Sequence, residues 1–365
     1  MELTAQALDL NLGVPFRISR SVQTIAHNVL AQIEDDGLTG IGEAAPSGYY
    51  GEKCESVLVA LSYFAEHLGD DATLIEDISA NLKRVMRGNA AARAAVDMAL
   101  YDLVGQRLGV PVYQLLGLNP ERTPVTSFTI GLDTPAEMAR KAQKAAQFPV
   151  LKIKVGTIKV GTPEDLEIVR AIRDATDARL RVDANEAWTP KQAIKTINAL
   201  EGFGIEFVEQ PVAASDLEGL RLVRENTNLP IFADESCVTP EDVPRMAGLV
   251  DGINIKLMKC GGISQALKMI ATARAHHLQV MLGCMIESSV AITAAAQISP
   301  LVDYADLDGA LLTSNDPFEG VGVVRGKLVL PNRAGLGVRI RASAKLPTKP
   351  IRARNARIVS AEDEE

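Results

Sequence analysis

The chain has 365 residues, of which 47% are hydrophobic, and it carries a formal net charge of −8 at pH 7. This length and composition provide enough apolar surface for a large core, organised as two domains or as one barrel with additions. The acidic charge disfavours nucleic acid as a partner, because binding to phosphates requires a basic surface.

The sequence also argues against membrane and secreted classes of protein. No uninterrupted apolar stretch reaches the roughly 18 residues of a transmembrane helix, and the first residues lack the basic and apolar regions of a signal peptide. We therefore expect a cytoplasmic protein without a membrane partner. The four cysteines are too far apart for a zinc motif or a disulfide framework. They are Cys54, Cys237, Cys260 and Cys284.

Residues 1–120 predict an α+β domain. An antiparallel meander is predicted over Leu3–Leu12, Asn28–Ile33 and Thr39–Glu43, with its second turn at Asp36-Gly37. Helical periodicity follows over Glu52–His67, Ile75–Val85 and Ala90–Leu108.

Residues 121–320 alternate short apolar runs with helical segments, the pattern of a parallel α/β fold. The predicted strands are Val125–Ile130, Val150–Val155, Arg179–Asp183, Ile205–Glu209, Pro230–Ala233, Gly252–Leu257, Gln279–Cys284 and Tyr304–Asp308. Eight strands fit a β/α barrel better than an open sheet, which usually has about five or six.

Threonine-proline pairs recur where helices of this region should begin. The hydroxyl can cap the helix, and proline suits the first helical position because its missing N–H leaves no bond unmade. The pairs are Thr134-Pro135, Thr162-Pro163, Thr189-Pro190 and Thr239-Pro240. We assign them to helix starts and to no chemistry.

The C-terminal segments have two different characters. Residues 321–340 contain a hairpin pattern at Arg325–Leu330, and we expect this segment to return to the N-terminal domain. Residues 341–365 predict a disordered tail, since the stretch from Arg339 to Arg357 has seven basic residues, no acidic residue and little apolar content.

Charged residues stand at the carboxyl ends of five successive predicted barrel strands, where the catalytic groups of barrel enzymes gather. They are Lys152 and Lys154 on the second strand, Asp183 on the third, Glu209 on the fourth, Asp234 after the fifth and Lys256 on the sixth. Successive strand ends are separated by about one βα unit, so we expect all of these groups on one rim.

Asp183, Glu209 and Asp234 have no basic neighbour in the sequence. Three clustered carboxylates resist ionising together unless a cation lies among them, and oxygen ligands favour Mg²⁺ or Mn²⁺. The alternative is that each carboxylate caps a neighbouring helix or pairs with a lysine.

Lys152 and Lys154 are two residues apart on a strand that is otherwise apolar, so both should face the barrel interior. Two close ammonium groups lower each other's pKa, which would leave one lysine able to act as a base near pH 7. Lys256 lies four barrel positions further round, on the opposite wall. Two such lysines can address the two faces of one carbon.

These residues resemble the enolase superfamily and, within it, the muconate-lactonizing-enzyme-like subgroup. The matching motifs are Lys152-Ile153-Lys154, Asp183-Ala184-Asn185, Glu209-Gln210-Pro211, Asp234-Glu235-Ser236 and Asn254-Ile255-Lys256. The resemblance implies a modified TIM barrel, (β/α)7β, with an N-terminal α+β capping domain. It also implies that Lys154 and Lys256 are the acid/base pair, that Lys152 supports them and binds substrate, and that the three carboxylates bind Mg²⁺.

Asp306-Leu307-Asp308 resembles the D-x-D motif with which dipeptide epimerases of this superfamily bind the free amino terminus of their substrate. Arg20 lies in the first of two segments, residues 15–20 and 48–52, that resemble the specificity loops of that family. It is similar to the arginine that pairs with the side-chain carboxylate in enzymes acting on L-alanyl-glutamate.

The resemblance implies a dipeptide epimerase that transfers the α-proton of the C-terminal residue, with L-Ala-D/L-Glu as the leading substrate and a role in recycling cell-wall peptides. It further implies a homo-oligomer. A cycloisomerase, an o-succinylbenzoate synthase or an N-acylamino acid racemase of the same superfamily is the nearer alternative, and a non-catalytic barrel scaffold is the more distant one. The exact dipeptide and the epimer served by each lysine stay open.

Overall fold

The structure is a computed structural model that describes residues 1–156, 163–342, 344 and 351–352, with the backbone alone at residues 163, 351 and 352. Strands and helices are numbered separately in chain order. In these parts of the chain, no helix combines the length and the apolar character required to cross a bilayer.

The chain begins with an antiparallel meander of β1 (Glu2–Ile18), β2 (Ser21–Asp35) and β3 (Leu38–Ala44). The predicted turn at Asp36-Gly37 is confirmed, with φ values of 49° and 77° that a type I′ turn requires. The first hairpin is longer than the sequence indicates. Its pairing is interrupted between Asn11 and Phe16, around Pro15, and then resumes up to Ile18. Because a proline has no N–H to donate to a neighbouring strand, its presence in this segment favoured a loop over a continuous strand.

Four helices follow the meander. They are α1 (Cys54–Ala65), α2 (Ile75–Val85), α3 (Ala90–Leu108) and α4 (Val112–Leu115). The alanine-rich α3 can lie close against β3 because the facing side chains of both elements are small. A Cβ at Gly42 would overlap the carbonyl oxygen of Ala95.

The middle of the chain forms a sheet of eight parallel strands. They are β4 (Phe128–Ile130), β5 (Val150–Lys154), β6 (Arg179–Asp183), β7 (Ile205–Glu209), β8 (Ile231–Ala233), β9 (Gly252–Lys256), β10 (Gln279–Gly283) and β11 (Tyr304–Asp306). A parallel bridge between Thr126, just before β4, and Ala305 of β11 closes the sheet into a barrel. The predicted barrel with an N-terminal α+β cap is therefore confirmed.

The helices that accompany these strands are α5 (Pro135–Lys144), α6 (Pro163–Ala175), α7 (Pro190–Leu200), α8 (Leu217–Glu225), α9 (Val243–Met246), α10 (Leu257–Cys260), α11 (Ile263–Ala275) and α12 (Ser289–Ile298). Below the rim, the barrel interior holds aromatic rings and the buried Arg181, whose guanidinium lies 5.3 Å from the centroid of the Phe207 ring. Phe207 and Phe232 stack at 4.2 Å between ring centroids, each two residues before a rim carboxylate on the same face of the sheet.

Two of the four Thr-Pro helix starts are confirmed, since the hydroxyls of Thr134 and Thr189 accept backbone N–H groups at the starts of α5 and α7. Thr162 lies outside the described residues. The prediction at Thr239-Pro240 is wrong, because α9 begins only at Val243. There the Asp242 carboxylate accepts the backbone N–H of Thr239 and stabilises a turn instead.

The C-terminal part consists of β12 (Phe318–Glu319), β13 (Gly322–Val324), β14 (Lys327–Val329), β15 (Arg339–Ile340) and β16 (Ile351–Arg352). The predicted hairpin is confirmed as β13 and β14. The chain then contacts the N-terminal part, where the backbone N–H of Leu336 donates to Asp102 of α3 at 2.7 Å.

The predicted disordered tail is wrong at β16, which pairs with β1 through Thr4↔Arg352 and Ala5↔Ile351. The free edge of β1 presents unpaired backbone groups that accept a further strand. Most of the remaining tail lies outside the described residues. The domain boundaries at 120, 320 and 340 stay a prediction.

Candidate functional site

The charged strand ends meet at one mouth of the barrel, as predicted. Lys154 is the register partner of Asp183, and Asp183 is the partner of Glu209. Asp234 directly follows β8 and Lys256 ends β9. All three carboxylates are fully buried, so their charges must be satisfied within the protein.

Lys152 lies at the centre of this charged layer. Its Nζ atom is 2.7 Å from Asp306 Oδ2, 2.7 Å from Glu209 Oε2 and 3.1 Å from Asp183 Oδ2. Burial alone would lower the pKa of Lys152, but attraction by the carboxylates, Asp306 first, raises it well above its ordinary value. The expectation that neighbouring ammonium groups lower the lysine pKa is wrong for Lys152, because the carboxylates have the larger effect.

Lys154 and Lys256 lie on opposite walls, since β5 and β9 are four strands apart in the closed sheet. Their Nζ atoms contact different carboxylates, Lys154 with Asp183 Oδ2 at 2.5 Å and Lys256 with Asp234 Oδ2 at 2.7 Å. Both lysines line one cavity of about 530 Å³. A carbon held in this cavity can thus be reached by an amine from either side.

The three carboxylates provide a set of buried oxygen donors. Burial, Asp183 and Asp234 together raise the pKa of Glu209 to about 7, although Lys152 opposes them. Glu209 Oε2 also accepts no hydrogen bond of acceptable geometry, even though the Lys152 ammonium is 2.7 Å away. These features fit a hard divalent cation such as Mg²⁺.

The structure also shows the alternative arrangement, in which the carboxylates pair with lysines. Lysine ammonium groups contact all three carboxylates. Within the described residues, no three acidic, histidine or cysteine side chains are arranged as a metal site. Attraction to Lys154 and Lys152 outweighs burial and lowers the pKa of Asp183 to about 2. Asp183 is therefore ready to bind a cation as a carboxylate.

Asp306 and Asp308 line the cavity beside the lysines, as predicted. Asp306 accepts from Ser127 Oγ at 2.6 Å, and Asp308 accepts from the backbone N–H of Thr129 at 2.6 Å. Burial and the Asp306 charge raise the pKa of Asp308 to about 7, whereas Lys152 holds that of Asp306 below its ordinary value despite burial. One further cation would suit this pair.

Arg20 lies in the turn between β1 and β2 and reaches the same cavity. Its Nη2 is 2.6 Å from Glu235 Oε1, its Nη1 is 3.4 Å from Glu186 Oε2, and its guanidinium lies 4.4 Å from the centroid of the Tyr49 ring. The hairpin tip and the Tyr49 segment thus form the outer edge of the mouth. Arg20 is bound by protein carboxylates there.

Sequence reasoning assigned no role to three polar side chains of this site, although Glu235 and Asn254 belong to the motifs quoted above. Lys259 donates to Asp234 Oδ1 at 2.6 Å, Asn254 Nδ2 donates to Glu209 Oε1 at 2.7 Å, and Glu235 binds Arg20. Asn254 could have been found, since it is two residues before Lys256 on the same face of β9. Lys259 gave only a weak signal, a lysine in the otherwise apolar run Leu257–Cys260.

Known families match both parts of the chain. Residues 2–117 match the family described as mandelate racemase/muconate lactonizing enzyme, N-terminal domain. Residues 135–344 match the family described as enolase C-terminal domain-like.

Similar proteins include the L-Ala-D/L-Glu epimerase of Bacteroides thetaiotaomicron, 43% identical over 93% of this chain and 88% of that protein. The substrate-liganded L-Ala-D/L-Glu epimerase of Bacillus subtilis superposes with a TM-score of 0.88 at 36% identity, over 93% of this chain and 98% of that one. A dipeptide epimerase of Enterococcus faecalis, in complex with Mg and L-Leu-L-Tyr, has a TM-score of 0.88 at 39% identity, over 92% and 98%.

Proposed function

The chain belongs to the mandelate racemase/muconate lactonizing enzyme family of the enolase superfamily, and from this premise we propose that it is a Mg²⁺-dependent dipeptide epimerase with L-Ala-D/L-Glu as its substrate. It inverts the α-carbon of the C-terminal residue. One observation carries the assignment: Lys154 and Lys256 face a single cavity from opposite walls, next to the paired carboxylates Asp306 and Asp308.

The two lysines perform the proton transfer. In its neutral form, one lysine removes the α-proton from one face of the carbon, and the other, as an ammonium, donates a proton to the opposite face. The direction reverses for the other epimer, so Lys154 and Lys256 exchange the roles of base and acid. When held by Asp183, Glu209 and Asp234, Mg²⁺ supplies positive charge that stabilises the substrate carboxylate as its α-carbon loses the proton.

Lys152 contributes fixed positive charge to the same reaction. Its side chain is 2% exposed and its ammonium contacts carboxylates from three strands, so it stays protonated and in place. A cation that does not reorganise is most effective where negative charge develops away from water. Lys152 therefore stabilises the substrate carboxylate rather than transferring a proton.

Asp306 and Asp308 bind the free amino terminus of the dipeptide. Asp308 is buried and, among the described residues, accepts hydrogen bonds only from the neutral groups of Thr129, so a substrate ammonium adds the charge that this pair lacks. At the other end of the cavity, Arg20 binds the glutamate side chain by exchanging its contacts with Glu186 and Glu235 for the substrate carboxylate.

The alternatives fit this site less well. Substrates of a cycloisomerase, an o-succinylbenzoate synthase or an N-acylamino acid racemase have no free ammonium, which leaves Asp308 without a charged partner. A non-catalytic scaffold has no use for a cluster of buried lysines and carboxylates, which is expensive to desolvate. The proposal extends to a homo-oligomer in the cytoplasm that consumes peptides released from the cell wall.

Proton exchange in D₂O tests the function directly. Each epimer of L-Ala-Glu is incubated with the protein and Mg²⁺, and the α-proton signal of glutamate is followed by NMR. We expect the signal to disappear from both epimers. If neither loses its signal, the chain is not an epimerase of this dipeptide.

Variants separate the dipeptide epimerase from its relatives. We expect Asp306→Asn and Asp308→Asn to lower kcat/KM for L-Ala-Glu by roughly 30-fold or more, because losing one partner of a buried charge pair costs at least about 2 kcal/mol. The exposed Asp77→Asn serves as the control. Equal losses with N-acetylated L-Ala-Glu, which lacks the ammonium, would contradict the assigned role of the two carboxylates.

A further inference from the structure

Arg20 is shared between two carboxylates at the outer edge of the mouth. Its Nη2 is 2.6 Å from Glu235 Oε1, and its Nη1 is 3.4 Å from Glu186 Oε2. The Tyr49 ring, whose centroid is 4.4 Å from the guanidinium carbon, adds a cation–π contact but no charge. The guanidinium proposed to bind the glutamate side chain of the substrate is therefore already paired with carboxylates of the protein.

The two ion pairs of Arg20 differ in how easily they open. Glu235 has a side chain that is 1% exposed, and a carboxylate at this depth loses its cation only at a large cost. Glu186 makes the longer contact, and its side chain is 16% exposed, so water compensates part of the loss when this pair opens. A substrate carboxylate therefore displaces Glu186 from Arg20 more readily than it displaces Glu235.

Glu186 keeps its place after this displacement. Its Oε1 accepts the backbone N–H of Ala214 at 2.6 Å, and its own backbone N–H donates to the backbone oxygen of Gln210 at 2.9 Å. Neither hydrogen bond involves Arg20. A substrate carboxylate on Arg20 Nη1 thus has the Glu186 carboxylate beside it, and two like charges in a partly buried site repel each other.

We propose that Glu186 is a positioning residue that competes with the side-chain carboxylate of the substrate for Arg20 and so limits the selectivity of the site for glutamate; the inference rests on the proposed function. A glutamine side chain has the same shape, meets no repulsion from Glu186 and leaves both ion pairs of Arg20 closed. The enzyme therefore accepts L-Ala-Gln as well as L-Ala-Glu, with kcat/KM values within about tenfold of each other. Removal of the Glu186 charge makes the site selective for glutamate.

The experiment compares Glu186→Gln with wild type and with Glu225→Gln, a control at an exposed glutamate that ends α8. Loss of the α-proton signal in D₂O is followed at several concentrations of L-Ala-L-Glu and of L-Ala-L-Gln, with Mg²⁺ present. We expect Glu186→Gln to raise kcat/KM for L-Ala-L-Glu at least about fivefold, mainly through a lower KM, because the like charge beside Arg20 is gone. The value for L-Ala-L-Gln should change less than about twofold, as should both values in the control.

A second neutral variant separates the charge of Glu186 from its contribution to the structure. Glu186 has a φ of 69°, a left-handed conformation that asparagine tolerates, so Glu186→Asn removes the charge at a position whose backbone it can adopt. It should show the same gain for L-Ala-L-Glu relative to L-Ala-L-Gln. A loss of packing would affect both dipeptides alike, so the ratio of their kcat/KM values reports the charge alone.

The proposal is overturned if the ratio is unchanged in both neutral variants, or if wild-type protein favours L-Ala-L-Glu by more than about a hundredfold. Failure of both variants to fold would also overturn it, because Glu186 would then be required for the structure rather than for selectivity. If wild-type protein exchanges neither dipeptide, the dipeptide epimerase assignment fails instead, and this result is obtained before any variant is compared.

Discussion

Asp97 links α3 to the segment that carries Lys256, and its protonation should be visible in the stability of the protein. Its carboxylate accepts the backbone N–H of Ser264 at 3.2 Å and the Ser264 hydroxyl, at the start of α11. It also packs so closely on Gly262 that a Cβ there would lie 2.5 Å from Asp97 Oδ2. Asn can replace it, because an amide offers Ser264 N an oxygen and the hydroxyl a donor.

The size of the effect follows from the pKa. Burial, opposed by hydrogen bonds from Ser264, raises the pKa of Asp97 from 3.8 to about 7. Between these values, the folded state holds a proton that the unfolded state has released, so stability falls as the pH rises through this window. Since a tenfold change in proton affinity is worth about 1.4 kcal/mol, the titration of Asp97 alone should lower the free energy of unfolding by roughly 2–3 kcal/mol between pH 5 and pH 8.

Reversible urea unfolding of wild type and Asp97→Asn at both pH values measures this cost. Other titrating groups affect both proteins alike and cancel in the difference. We expect the free energy of unfolding of Asp97→Asn, relative to wild type, to be roughly 2–3 kcal/mol greater at pH 8 than at pH 5. Asp77→Asn, an exposed change, should show no such dependence. A difference independent of pH would refute the view that burial keeps Asp97 protonated in the folded state.

Further predictions concern the site and its support. Lys154→Met and Lys256→Met should each reduce α-proton exchange in D₂O by roughly 10²-fold or more, each for a different epimer. If both variants lost exchange from the same epimer, the two lysines would not act on opposite faces of the α-carbon. Arg20→Met should raise KM for L-Ala-Glu at least about tenfold while leaving KM for apolar dipeptides nearly unchanged. Equal effects on both kinds of substrate would show that Arg20 does not recognise the glutamate side chain. Gly262→Ala should lower the unfolding free energy by more than about 1 kcal/mol, because φ is 114° and Asp97 fills the space, as urea titration would show. Chelation of the metal should abolish activity, and added Mg²⁺ or Mn²⁺ should restore it in the same assay.

The barrel and its rim could be predicted because both depend on local patterns. Short apolar runs determine where the strands lie. A charged residue at the carboxyl end of such a strand must lie at the rim of a parallel barrel, independently of residues far away in the sequence. Asp183, Glu209 and Lys256 therefore meet as expected.

Other features of the site depend on contacts that no local pattern contains. The raised pKa of Lys152 arises largely from Asp306, which is 154 residues away in the chain. Asn185 and Glu186 have positive φ values of 42° and 69°, and this bend gives Arg20 the Asn185 carbonyl and the Glu186 carboxylate as partners. Such backbone conformations are unusual outside glycine, so no pattern in the sequence predicts them.

Buried carboxylates of the N-terminal part connect it to the barrel mouth. Glu43 accepts hydrogen bonds from the backbone N–H groups of Ser288 and Ala291 at the start of α12. Asp97 likewise accepts the backbone N–H of Ser264 at the start of α11. If the two parts separated, these donors and acceptors would lose partners at a cost of about 1–3 kcal/mol each. Glu43 and Asp97 therefore hold β3 and α3 against the starts of α12 and α11, and loss of either carboxylate should loosen the contact between the N-terminal part and the barrel.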